Sequence, residues 1–169
     1  MRTVVLTVGL LLLLVAPARA ETTQRNFLRG LEGFFVTVDA PGDDAKEAGL
    51  DEDVIKTAVE LKLRKNGVPV FELAERKNEI PLNLRALLTV RVKITKPKGA
   101  TAKFSAYTTT IVLMQPAKLD RDANIPVWTA TWELEMGLGI GEQSDIRKQI
   151  DDGVDKFAND WLATHPKKP

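Results

Sequence analysis

The sequence predicts an α+β fold, a five-stranded mixed sheet in the order β-α-β-β-β-α with two helices packed on one face. Three patterns predict it. From Leu82 to Thr95 every even position is apolar (Leu82, Leu84, Ala86, Leu88, Val90, Val92, Ile94), while six of the seven odd positions are polar. That period of two demands a strand with one buried face. Near the other end, Ile146, Ile150, Val154, Phe157 and Trp161 recur at helical spacing and form one buried stripe. Between residues 33 and 74, a capped helical pattern lies between two β-branched segments, the signature of a βαβ unit with parallel strands.

Taken in order, Gly33 to Asp39 reads as the first strand, followed by a turn-rich acidic loop over Ala40 to Gly49. Asp51 then suits an N-cap, and Glu52 and Asp53 suit the positive end of the helix dipole. Val54, Ile55, Ala58, Val59, Leu61 and Leu63 mark a broad apolar face, and Asn66-Gly67 is a stop signal. Val68 to Ala74 reads as the second strand and Leu82 to Thr95 as the third. Lys96-Pro97-Lys98-Gly99 makes a turn into a fourth strand, Lys103 to Gln115, whose facing the pattern leaves open. Pro116 to Pro126 reads as a loop. Val127 to Leu138 is the fifth strand, with Trp128, Ala130, Trp132, Leu134 and Met136 on one face; burial accounts for Trp128 and Trp132 as it does for Trp161. Gly137, Gly139 and Gly141 loosen the chain before a last helix capped by Ser144 and stopped by Pro166. Strands of this length span about 46 Å against about 30 Å for the last helix, so the long strands either bend at bulges or overhang as a two-faced hairpin.

Residues 1–20 differ from the rest. Arg2 precedes a run of apolar residues from Val4 to Val15, and Ala18-Arg19-Ala20 follows Pro17. This is the pattern of a secretory signal peptide cleaved after Ala20, and the run is too short to span a bilayer. No cysteine follows to carry a lipid. The expected product is a single domain over 21–169, periplasmic or secreted. Of 24 Lys and Arg, two lie in the leader, so the domain sets 22 basic residues against 23 acidic. That balance argues against nucleic acid as a partner.

The residue inventory also argues against an enzyme. The single His, His165, lies in a polar tail beside Pro166, where chain ends fray, so no positioned base supports a nucleophile. With no Cys and one His, a zinc site lacks ligands. Asp120-Arg121-Asp122-Ala123-Asn124 alternates oxygens like a calcium loop, but Ile125 stands where Gly is needed and Thr131 where Glu is needed. Gly137 to Gly141 has the wrong spacing for a nucleotide fingerprint. Asp151, Asp152 and Asp155, near Lys148 and Lys156, read as a solvated helix face with i,i+4 pairs. No cofactor is expected. The sharpest polar feature is a basic hairpin, Lys93, Lys96, Lys98 and Lys103, beside Arg85 and Arg91 on the uncovered sheet face. It suits an envelope protein or an anionic surface, and equally the protection of a hairpin end from strand pairing.

Several segments, in this order, resemble a group of uncharacterised exported bacterial proteins: Leu28 to Gly33, Val59 to Gly67, Tyr107 to Pro116, Thr131-Trp132, and Phe157 to Ala163. The resemblance implies export and a single β-α-β-β-β-α domain, and it turns the odd residues of the Tyr107 segment inward. The group's usual Asn-Pro ending is His165-Pro166 here. These readings lead to a non-enzymatic interaction or accessory module of the cell envelope. The alternatives are a carrier of a small apolar ligand or lipid, with a cavity lined by Leu84, Leu88, Trp132 and Phe157, and an enzyme working with carboxylates alone.

Overall fold

A pleated strand sends alternate side chains to opposite faces, so the pairing register decides which rows this chain buries. The computed structural model describes residues 23–39, 45, 49–72, 86–95 and 105–166. Their elements are β1 (Phe35–Asp39), α1 (Glu52–Lys65), β2 (Leu87–Thr95), β3 (Ser105–Leu119), β4 (Asp122–Gly141) and α2 (Gln143–Thr164). The sheet order is β1-β2-β3-β4. β1 runs parallel to β2, while β2, β3 and β4 form an antiparallel meander. The fold is α+β with a mixed sheet, but among the described residues it has four strands rather than five. The expected second strand contributes one parallel bridge, Phe34 to Val70; Phe71 and Glu72 follow it outside any strand, and Leu73 and Ala74 lie outside the described residues. Pro69 precedes that bridge and has no N–H to donate to a ladder.

α1 follows its sequence signals. The Asp51 carboxylate accepts from the backbone N–H of Asp53 at 2.9 Å and of Val54 at 3.2 Å. Gly67, at φ 78°, reverses the chain so that the Val68 N–H reaches the Leu63 carbonyl at 3.0 Å. The buried stripe is narrower than the sequence suggests: Ile55, Val59 and Leu63. The cap of α2 is Glu142 rather than Ser144, and the Glu142 N–H donates to Asp145 Oδ2 at 2.8 Å.

Across the sheet, the register aligns Val36, Leu88, Leu113 and Trp132 in one row and Val38, Val90, Ile111 and Leu134 in the next. The buried stripes of both helices share one core with these rows. At its centre Phe157 meets Phe34 and Trp132 edge-on, at 5.2 and 4.9 Å between ring centroids, an arrangement that suits the ring quadrupoles. The odd residues Tyr107, Thr109, Ile111 and Leu113 are buried, which settles the facing of β3 as the resemblance implied.

The long hairpin both bends and overhangs. The β2–β3 ladder stops at the Leu87–Met114 pair, where β2 begins, yet β3 continues to Leu119 and β4 begins at Asp122. The segment expected to be a loop from Pro116 to Pro126 is therefore a two-stranded ribbon, turned by Asp120 and Arg121. Beyond Met114, β3 has β4 as its only strand partner among the described residues, so Pro116 interrupts no second ladder. Register shifts occur between Thr108 and Thr110, between Leu113 and Met114, and near the ribbon tip. Each extra residue in one strand flips the facing of the residues beyond it.

Two flips matter. Trp132 pairs with Leu113 but Ala130 pairs with Met114, so Trp128 and Ala130 swing to the outer face. Trp128 is 49% exposed, a correction to its reading as core, while Trp132 and Trp161 are buried. The second flip falls at Gly137, whose φ of 65° is open to glycine at little cost. The three glycines therefore do not loosen a linker; they belong to β4. Gly139 lies under the Tyr107 ring, where an added Cβ would sit 2.5 Å from the ring Cζ.

Candidate interaction surface

The two flips give β4 an outer row of Trp128, Ala130, Glu133, Glu135, Leu138 and Ile140, every one exposed. Leu138 is 74% and Ile140 78% exposed, the most open large apolar side chains of the described residues. β4 is also the last strand of the sheet, which leaves its outer edge without a ladder partner among the described residues. Two side chains cap the middle of that edge. Gln149 Nε2 donates to the Met136 carbonyl at 2.9 Å, and the Glu133 N–H points to Gln24 Oε1 at 3.5 Å. Such capping discourages strand addition there and leaves the face, rather than the edge, as the open surface.

The sequence-predicted residues divide between this face and undescribed chain. Lys93 is exposed, opposite Thr108, which pairs in turn with Leu138. Arg91 lies on the same face but points to Asp39 across the parallel pair, 3.9 Å away. Arg85, Lys96, Lys98 and Lys103 lie outside the described residues. Thr95 and Ser105, which bound the basic turn, flank the row that ends in Ile140: Thr95 pairs with Ala106, and Ala106 with Ile140. The rest of the outer face is less open than a bare sheet would be. Phe35, Thr89 and Val112 on it are buried; Phe71 packs on Phe35 at 5.6 Å, and the hydroxyls of Thr37 and Thr89 are 3.0 Å apart.

Sequence reasoning missed Leu138 and Ile140. The signal was there, in Gly-Leu-Gly-Ile-Gly: alternating glycines leave one face bare and concentrate the apolar residues on the other.

Two further polar constellations are structural. Asp160, 3% exposed, accepts from Arg25 Nη2 at 2.8 Å, Lys156 Nζ at 3.0 Å and Trp132 Nε1 at 3.1 Å. Three donors satisfy this buried carboxylate and tie the turn at Arg25 to α2 and β4. His165 is not in a frayed tail. Its ring stacks on Trp161 at 4.1 Å, Nε2 lies 3.0 Å from the Leu31 carbonyl, and Nδ1 lies 3.0 Å from the Thr164 hydroxyl. Nε2 fastens the end of α2 to the segment before β1, while Nδ1 is held by groups of α2 itself. Asp151 and Asp155 reach across to Lys62 of α1, at 3.6 and 3.0 Å, rather than to Lys148 and Lys156. Among the described residues no helix is long and apolar enough to cross a membrane, and no group of three or more His, Asp or Glu is placed to hold a metal ion.

No family model matches the chain, and no curated protein matches it. The solved structures that are similar in part include the following two. A PelC dodecamer from Paraburkholderia phytofirmans is 15% identical, covering 75% of this chain and 87% of that one, with a TM-score of 0.41. A minor lipoprotein from Acinetobacter baumannii is 14% identical, covering 78% and 94%, with a TM-score of 0.33. Likeness at this level identifies no shared activity. Fold and surface define a class all the same: a small α+β module sealed by helices on one face and carrying an open amphipathic strip on the other.

Proposed function

We propose that this chain is exported through its first twenty residues and acts in the envelope, without enzymatic activity, as an interaction module that docks a protein partner on the outer face of β4. The observation that supports this reading is the pair Leu138 and Ile140, adjacent on one face and about three-quarters exposed. Exposed neighbouring aliphatics favour a partner that removes them from water, at about 25 cal/mol per Å². The surrounding charges favour protein over anionic lipid. Glu133 and Glu135 share the row with the aliphatics, and Arg91 faces Asp39, so the strip is of mixed sign and repels an anionic surface along half its length. Of the residues expected to wall a carrier cavity, Leu88, Trp132 and Phe157 are buried in one core cluster, and Leu84 lies outside the described residues. The burial of these three favours docking over carriage.

A photo-reactive residue at position 140, compared with one at the exposed position Lys148 on α2, tests the reading in cells. The module reading predicts a discrete cross-linked protein from position 140, absent from position 148 and lost in a Leu138→Asp/Ile140→Asp chain. Equal labelling from both positions, or none from position 140, would count against it.

A further inference from the structure

The segment just before β1 is seated on three elements. Thr23 to Asn26 make one turn of helix, and Phe27 to Gly30 follow as tight turns. Arg25 Nη2 donates to the buried Asp160 of α2 at 2.8 Å. Gln24 Oε1 faces the Glu133 N–H of β4 at 3.5 Å, and Gln115 Nε2 of β3 donates to the Phe27 carbonyl at 3.0 Å. Leu28 is wholly buried and belongs to the core. Lifting this segment takes a donor from a buried carboxylate and leaves a cavity where Leu28 was, so the turn stays down in the folded protein.

Ala18-Arg19-Ala20, which reads as the end of the leader, stops three residues before Thr23. Three Cα steps span at most about 11 Å when fully extended. While the turn is seated, the bond after Ala20 is therefore held close against the folded body. A peptidase takes its substrate as an extended strand through a recessed cleft, with several residues on each side of the bond. Thr23 in a helical turn, with Arg25 and Leu28 fixed behind it, denies that shape to the residues after the bond. Cleavage must then pass through a state in which the turn is lifted.

We infer that this turn sets the order of maturation: the leader is cut first, and Arg25 and Leu28 dock afterwards. A chain that seats the turn before it is cut keeps its leader. The inference rests on the export reading above and adds to it a folding step that closes the cleavage site.

Purified signal peptidase acting on the folded full-length chain in detergent tests the order. The comparison is a variant with about ten Gly and Ser residues inserted after Glu21, a flexible spacer of about 17 Å that carries the bond clear of the body and keeps Glu21 next to it. Both chains should show the same near-ultraviolet circular dichroism, and the full-length chain should be cut at least about tenfold more slowly. Arg25→Ala, which loosens the turn, should speed cleavage of the full-length chain and leave the rate of the spacer variant unchanged. Equal rates for the full-length chain and the spacer variant, or an Arg25→Ala chain cut no faster than its parent, would overturn the inference while leaving export intact. A spacer variant that is itself never cut after Ala20 would remove the leader reading, and the inference with it.

Discussion

Two rows of side chains leave the same strand, β4, and meet opposite fates. The inner row, Trp132, Leu134 and Met136, closes the core beneath α2. The outer row, Trp128, Glu133, Glu135, Leu138 and Ile140, stands in water. Hydrophobicity does not separate them, since each row contains a tryptophan and aliphatics. Two register shifts do, by reversing the facing of the chain at Thr131 and at Gly137. What a residue contributes to stability therefore depends on the parity of its position relative to a bulge, not on its type.

The sharpest contrast comes from the two tryptophans and the two aliphatics. Trp132→Ala removes a buried ring packed on Phe157 and should cost about 4 kcal/mol in urea unfolding. Asp160→Ala should cost about 3 kcal/mol, because Trp132 Nε1 and Arg25 lose the buried carboxylate they share. Asp160→Asn keeps an acceptor for the indole and should lose less. Gly139→Ala drives a methyl into the Tyr107 ring and should cost about 2 kcal/mol, seen as a lowered thermal midpoint. Thr109→Val should raise stability by about 1 kcal/mol, since its buried hydroxyl has no hydrogen-bond partner among the described residues. Ile140→Ser on the outer row should stay within about 0.5 kcal/mol of wild type; a cost like that of Trp132→Ala would mean that the outer row is covered.

The parts of the fold written in local periodicity were readable from the sequence. Leu88 to Ile94 alternate without a break, α1 carries its own cap at Asp51 and its own stop at Gly67, and the α2 stripe from Ile146 to Trp161 needs no tertiary information. Long-range geometry was not readable. Val68 to Ala74 has the residues of a strand, yet Val70 forms one bridge, because pairing depends on the neighbour available and not on propensity alone. The prolines at 116 and 126 suggested a loop; on a ribbon with a single ladder they are tolerated. A strict period of two placed Trp128 beside Trp132 because bulges leave no mark on composition. Asp160 hid in plain view: it lies seven residues from the buried Gly153, two helical turns along the same face, but a carboxylate there reads as solvated until its donors arrive from distant chain.

The same lesson applies to the candidate surface. Lys93 and Arg91 were found because charge is conspicuous. Leu138 and Ile140 were missed because apolar residues in a strand are read as buried by default.

The parity of β4 can be measured outright in this cysteine-free chain by placing single cysteines along the strand from position 128 to position 140 and recording thiol-labelling rates in the native protein. Fast labelling at 128, 130, 133, 135, 138 and 140, with 132, 134 and 136 protected, is the outcome two register shifts require. Unbroken alternation, with 128, 132, 136 and 140 equally protected, would contradict them and return Leu138 and Ile140 to the core.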